Sequence, residues 1–383
     1  MKHIIIICLL INCLSLTAQN IDDLSFGTES TLDIVTWNIE YFPKNGQATV
    51  NYVIDIIEAL DVDVLAIQEV ENINDFEQMM DGLSAYNSYL ESVWFAGLAY
   101  IFKPDVIQIN SIYEIYTTSE YWSYFPRSPM VMDLNFMDQR YIIINNHFKC
   151  CGNGILNINN TNDEETRRYF ASNLLKEYVD THFSDENVIV LGDLNDNLAD
   201  IPQNNVFQMI LDDSENYLFA DYEIAAGNSS EWSFPTWPSH LDHILITNEL
   251  FDKMEDIQTI KVDEYLTGGW MEYDGNISDH RPVALKLAVD DNLNVAKVDK
   301  PKKYFSNYPN PFNSETVFSF SRRTSSNKIE VYNMNSQKIA SLNIPKGQSS
   351  ISLNAEGFSN GIYIAKLLSG TNVIATRKLI IMK

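Results

Sequence analysis

Residues 188–195 read VIVLGDLN, and the fold is decided there. Four apolar residues in a row, three of them β-branched, suit a strand buried on both faces, as found inside layered α/β domains. Asp193 and Asn195 follow two apart, so on an extended chain their side chains leave on the same side. A buried strand that ends in a carboxylate and an amide puts polar chemistry at the rim of a core.

The same grammar recurs outward from this stretch. Residues 34–37, 64–67, 141–145, 244–246 and 283–287 read as further strands, several of them apolar throughout. Between them, residues 48–60 place Val50, Val53, Ile54, Ile57 and Leu60 at helical spacing, and residues 164–178 do so with Tyr169, Phe170, Leu174, Leu175 and Tyr178. Strands interleaved with helices predict an α/β domain of about 270 residues. Many of the strands end in polar residues: Asn38, Gln68-Glu69, Asn145-Asn146-His147, His240-Leu241-Asp242-His243 and Ser278-Asp279-His280. Singly, such residues are turn formers or solvated groups. Asp193-x-Asn195 also imitates a calcium loop, but Leu198 stands where that loop needs glycine. Together they form a set suited to metal-assisted phosphoester chemistry.

Composition narrows the rest. The chain has 383 residues, is 45% hydrophobic and holds four cysteines, which excludes disordered, collagenous and disulfide-scaffold classes. Its net charge of −26 is uneven: residues 301–383 carry 11 Lys/Arg against 3 Asp/Glu, while residues 1–300 carry 15 against 49. So acidic a main part argues against gripping nucleic acid by counterion release alone. Lys2 and His3 precede an apolar run over residues 4–16 and a small-residue end, the pattern of a secretory signal peptide over residues 1–18. No other run is long enough to span a membrane. Cys150 and Cys151 then remain, adjacent in sequence, as a vicinal disulfide or as two thiols. Residues 290–304 are polar and charged and read as a linker. Beyond it, short alternating runs at 349–353 and 361–367 predict a small all-β sandwich.

In order and spacing, Asn38, Gln68-Glu69, His147, Gly192-Asp193-Leu194-Asn195, Leu241-Asp242-His243 and Ser278-Asp279-His280 resemble the endonuclease/exonuclease/phosphatase family over residues 31–288. The resemblance implies an α/β (α+β) four-layer sandwich for residues 19–289, with two mixed β-sheets packed face to face and helices outside. It also implies roles. Glu69, supported by Asn38 and with Asp279 at or near it, would hold Mg²⁺, with Ca²⁺ or Mn²⁺ as alternatives. Asp193 would orient or deprotonate the attacking water, and Asn195 would hold a phosphate oxygen. His280, oriented by Asp242, would act at the phosphate. His147 would assist the leaving oxygen, as in the deoxyribonuclease-like branch, and Arg127 would clamp phosphate. The carboxylate that partners His147 in that branch has no counterpart that can be placed in residues 91–103, and His240 and His243 read as structural.

Residues 305–383, opening with Asn307-Tyr308-Pro309-Asn310-Pro311-Phe312-Asn313, resemble the C-terminal sorting domain of the type IX secretion system of Bacteroidetes and relatives. The resemblance implies that the secretion machinery is a partner, and that a monomeric enzyme works outside the cell or on its surface after passing the periplasm. A secreted nuclease acting on DNA or RNA is the favoured expectation. A phosphodiesterase or phosphatase on a lipid headgroup or small phosphoester, sphingomyelinase-like, is the alternative, with the Trp232 to Trp237 segment as the apolar hairpin it would need. A binding module with a decayed site is disfavoured, because no motif residue is missing.

Overall fold

A computed structural model describes residues 20–91, 97–289, 305–320, 328–334, 337–345, 348, 350–370 and 372–383. The expected signal peptide and linker lie outside the described residues. The chain divides into two compact units, Met1–Asp290 and Asp291–Lys383.

The first unit is built on two six-stranded mixed sheets. One runs β11 (Met254–Thr259), β12 (Val283–Ala288), β1 (Thr31–Phe42), β2 (Val64–Val70), β4 (Gly97–Phe102), β3 (Asn87–Glu91). The other runs β5 (Ile107–Glu114), β6 (Met130–Phe136), β7 (Gln139–His147), β8 (Asn187–Asp193), β10 (Asp242–Thr247), β9 (Tyr217–Phe219). Strand alternation builds three apolar layers. Leu32 and Ile34 of β1, Ile143 of β7, Ile189 and Leu191 of β8 and Ile244 of β10 meet between the sheets. Val35 and Trp37 face the other way, onto α1 (Gln47–Leu60) and α2 (Ile73–Gly82). Ile142, Ile144, Val188 and Val190 pack on α3 (Glu164–His182). This is the four-layer sandwich expected.

Local chemistry places the helices. Val50, Val53, Ile57 and Leu60 form the buried stripe of α1. Asn72 caps α2 by accepting from the backbone N–H groups of Asn74 and Asp75. Asp163 caps α3 by accepting from Thr166, and Glu164 and Glu165 follow in the first turn, where the helix dipole favours acids. Short helices α4 (Gln208–Leu211) and α5 (Tyr222–Ala225) and the longer α6 (Gly269–Asn276) complete the unit.

Register delivers the site. β7 and β8 pair in parallel with His147 opposite Asp193, and β8 and β10 pair antiparallel with Asp193 opposite Asp242. Three side chains on neighbouring strands thus stand in one row, at strand ends that all open on the same rim. In the facing sheet, Asn38 pairs with Gln68 across β1 and β2. Each of these five residues continues the face that is apolar deeper in its strand. The site is where the inter-sheet layer turns polar. Gly192 makes the close approach possible: at φ 139, a Cβ there would lie 1.9 Å from the Asn146 carbonyl oxygen.

The second unit is all β, as expected. Sheets β13 (Phe305–Tyr308), β14 (Glu315–Phe320), β17 (Ser350–Asn354) and β16 (Lys338–Asn343), β15 (Lys328–Asn333), β18 (Gly361–Ser369), β19 (Asn372–Ile381) share a core of Phe305, Phe318, Val331, Ala365 and Leu379. Asn310 of the Tyr-Pro-Asn-Pro-Phe-Asn stretch accepts from the Ile380 N–H at 2.8 Å and donates to the Lys378 carbonyl at 2.9 Å. It pins the opening motif to the last strand, which explains an asparagine between two prolines that cannot donate.

Candidate active site

Asp193 Oδ2 is where the two sheets converge. Asn38 Nδ2 donates to it at 3.0 Å, His147 Nε2 lies 3.4 Å away and His280 Nε2 3.9 Å away. Its other oxygen, Oδ1, accepts from the Asn195 N–H at 3.1 Å, so Asn195 turns back over the site. That turn puts Asn195 at φ 55, a left-handed conformation that asparagine tolerates. Burial pushes the Asp193 carboxyl up to about 7, with His280 opposing and Asp242 adding to the rise.

Glu69 sits at φ 67, beside an irregularity in the β2 ladder. The kink turns its carboxylate toward the rim, where it accepts from Asn38 Nδ2 at 3.1 Å and from the Tyr41 N–H at 3.0 Å. Asn38 Oδ1 is occupied by the Glu40 N–H at 2.9 Å. In this rotamer Asn38 therefore offers its nitrogen to the two carboxylates and holds Glu69 in place.

His280 is fixed from several directions. Its Nδ1 bonds Asp242 Oδ2 at 2.7 Å, and its carbonyl accepts from Tyr273 Oη at 2.6 Å and Trp37 Nε1 at 3.2 Å. Phe234 covers the ring at 4.8 Å between centroids. Burial pulls its imidazole down, but Asp242 and Asp193 outweigh it and hold His280 well above its ordinary range. Asp279 Oδ1 lies 3.8 Å from His280 Nε2, and its N–H donates to Glu40 at 2.7 Å. His147 is the opposite case. Burial, with Arg127 and His280 nearby, drives it well below its ordinary range. Its Nε2 lies 3.7 Å from Glu69 Oε1, and its Nδ1 has no hydrogen-bond partner among the described residues. Arg127 is half-buried; burial lowers its guanidinium while the charges of Glu69 and Asp193 oppose that shift.

Nine residues singled out in the sequence are thus accounted for, and the rim brings them together. Supporting residues complete the rim: Gln68 and Asn145 belong to the polar strand ends read in the sequence, whereas Glu40 carries no sequence signal. Glu40 links Lys44 to the Asp279 backbone. Gln68 donates to Asn145 at 2.8 Å, and the Asn145 N–H in turn donates to Tyr100 Oη at 2.9 Å, a polar plug beneath the site. Arg168 on α3 donates to Asp196 at 2.8 Å and to the carbonyls of Lys149 and Cys151, tying the loops after β7 and β8 together.

His240 and His243 belong to a second cluster with Asp221, all three buried. His243 faces acceptors on both nitrogens, Asp221 Oδ2 at 2.5 Å and the Asp196 carbonyl at 2.8 Å, so it is an imidazolium. His240 Nδ1 accepts from the Ser233 N–H at 3.1 Å, which leaves the proton on Nε2, 3.1 Å from Asp221 Oδ2. A protonated Nε2 is no metal ligand. The hydrogen bonds of His243 to Asp221 and Asp196, and of His240 to Ser233, make the cluster a buried brace.

For a hard divalent ion the donor set at the rim fits: Glu69 and Asp279 offer partly exposed carboxylate oxygens, side-chain exposure 12% and 28%.

Residues 35–280 match the Endonuclease/Exonuclease/phosphatase family, and the chain belongs to that family. Residues 306–382 match the secretion system C-terminal sorting domain. Among solved structures, D. rerio TDP2 complexed with single strand DNA product aligns at TM-score 0.54 and 14% identity, covering 68% of this chain and all of that one. An endonuclease/exonuclease/phosphatase from Bacteroides vulgatus aligns at TM-score 0.52 and 14% identity, covering 68% and 100%. At these identities the likeness is one of fold. No curated protein matches the chain.

Proposed function

We propose that this protein is a secreted, divalent-metal-dependent phosphodiesterase, with DNA or RNA as its substrate. The observation that carries the reading is the convergence on Asp193. A carboxyl near pKa 7 suits a general base at neutral pH, because it is half-deprotonated and still accepts a proton from water. The His280 imidazolium, held by Asp242, supplies a positive hydrogen-bond donor for the charge that develops on phosphate oxygen. Asn195 and Arg127 bind and orient that phosphate. His147, neutral and with its Nε2 toward the carboxylates, stands at the rim to donate toward the leaving oxygen. Glu69 and Asp279, with Asn38 behind Glu69, would hold the ion, most simply Mg²⁺; a bound ion there neutralises phosphate charge and lowers the barrier to attack.

Family membership supports phosphoester chemistry, and the D. rerio relative's DNA product favours nucleic acid. The sorting domain supports export by the type IX machinery, with the enzyme acting outside the cell or on its surface. No described helix is long and apolar enough to cross a membrane. The second reading, a lipid or small phosphoester substrate, rests on Trp237, 78% exposed in the turn bridged by Phe234 and Ser239, whose Phe234 covers His280. Trp232, by contrast, packs inward and donates to the Ile224 carbonyl at 3.0 Å. The test is hydrolysis of plasmid DNA, RNA and sphingomyelin by the full chain, with and without chelator. Chelator-sensitive cleavage of nucleic acid is expected; cleavage of sphingomyelin alone selects the second reading, and cleavage indifferent to chelator overturns the metal assignment.

A further inference from the structure

Cys150 and Cys151 lie three and four residues beyond His147, both exposed, with sulfurs 2.8 Å apart. The loop that carries them is clamped rather than loose. Arg168 donates to the carbonyls of Lys149 and Cys151 at 2.8 and 2.7 Å, and the Glu165 carboxylate accepts from the N–H groups of Asn153 and Gly154. Gly152, at φ 118, lets Glu165 approach: a Cβ there would lie 2.3 Å from its oxygen. Two buried charged residues thus hold two thiols side by side at the surface.

The two sulfurs are not equivalent. Cys150 Sγ accepts from the Cys151 thiol and from Lys149 Nζ at 3.5 Å, whereas Cys151 Sγ is the donor of the pair. Cys151, as the donor, has its thiol pushed up by that bond. Cys150 is among the groups that act electrostatically on Arg127 and Tyr41, after Glu69 in both cases.

We propose that Cys150 and Cys151 are a redox-active dithiol, in which Cys150 attacks a low-molecular-weight disulfide and Cys151 resolves the product into a vicinal disulfide ring. The Cys150 thiolate attacks one sulfur of R–S–S–R, forms a mixed disulfide and expels RS⁻. The Cys151 thiol then loses its proton and displaces the second RS⁻. The pair loses two electrons and two protons, and the external disulfide is reduced to two thiols. A trans peptide keeps neighbouring Cα atoms about 3.8 Å apart, closer than disulfides usually span. Such a ring is readily reopened by a reductant. Closing it removes an ionisable thiol that acts electrostatically on Arg127, so the guanidinium binds phosphate more readily and KM falls while kcat holds. That last consequence rests on the function proposed above; the dithiol chemistry does not.

The test treats the reduced full chain with oxidised glutathione and weighs the tryptic peptide 150–167. Loss of two hydrogens, reversed by dithiothreitol, is expected. Cys151→Ser should trap one glutathione on Cys150, and Cys150→Ser should trap it far more slowly on Cys151. A peptide that keeps both thiols, one that carries two glutathiones, or equal trapping by the two variants overturns the proposal. Ring closure with an unchanged KM removes the coupling to Arg127. Ring closure in a protein inactive on every phosphoester counts against the proposed function and leaves the dithiol standing.

Discussion

Two clusters of aspartate and histidine lie side by side along β10, and they differ in what their hydrogen bonds leave over. Around Asp221, His243 has both nitrogens engaged, His240 Nδ1 accepts from the Ser233 N–H with Nε2 3.1 Å from Asp221 Oδ2, and Asp221 Oδ1 accepts from the Ile244 N–H at 2.8 Å. Around Asp193, His280 is engaged only through Nδ1, its Nε2 standing 3.9 Å from the Asp193 carboxylate. The closed cluster holds β10 and the turn after Asn195 in place. The other keeps donors and an acceptor available to a phosphate. Residue type does not separate a brace from a reactive centre; unspent hydrogen-bonding capacity does.

The comparison breaks most visibly through His280. His280→Ala should lower kcat by roughly 10²–10⁴-fold with little change in KM, because the lost donor acts on charge that develops in the transition state. Glu69→Gln should do comparable damage that rising Mg²⁺ partly reverses; wild-type turnover at sub-millimolar Mg²⁺ would remove Glu69 from the metal site. On the closed side, Asp221→Asn leaves a buried imidazolium without its counter-charge and should cost about 3–5 kcal/mol of stability, read by denaturant unfolding. Asp242→Asn sits between the two: a partial copy of the His280 loss, since the ring keeps its place under Phe234 but loses its orienting carboxylate.

Acidity sharpens the contrast further. Asp193, raised to about 7, must be deprotonated to act, so activity should rise with pH through about 7. Because its folded value exceeds the unfolded 3.8, its contribution to stability runs the other way, weakening as pH climbs from about 4 to 7. Asp193→Asn should flatten both profiles. In the closed cluster, Asp221 is depressed by His243 and His240, which outweigh burial, and loses its contribution as pH falls below 3.8. His243 is raised by Asp221 against burial, and its contribution is complete below 6.5 and lost as pH rises through its folded value. The brace is therefore strongest between those limits.

Much of this was legible in the sequence because buried strands announce themselves. Residues 188–191 and 244–246 have apolar neighbours on both faces and read as strands, whereas β5 is largely exposed along its length, carries no such run and went unread. β3 and β11 lie at sheet edges and α6 is short, and none of them is read from the sequence; β4 and β6, buried along most of their length and away from the edges, and helix α2 also escape the reading. Most site residues were legible because they stand at the ends of readable strands, as Asn38, Glu69, His147, Asp193 and Asp242 do, whereas Arg127, Asp279 and His280 lie in loops; register did the remaining work. What sequence could not supply was pairing across the fold: Asp221 under His243, Glu40 under Asp279 and Arg168 between two loops are 22, 239 and 28 residues from their partners. No local pattern encodes those contacts.

The most direct test sets His280→Ala beside His243→Ala in the full chain, with turnover of nucleic acid and thermal unfolding measured on both. The account predicts that His280→Ala loses turnover by at least about 10²-fold while unfolding near the wild-type temperature, and that His243→Ala unfolds well below it while keeping most of its turnover in the folded cold. The reverse pattern, with turnover lost through His243 and stability lost through His280, would contradict the division between the two clusters.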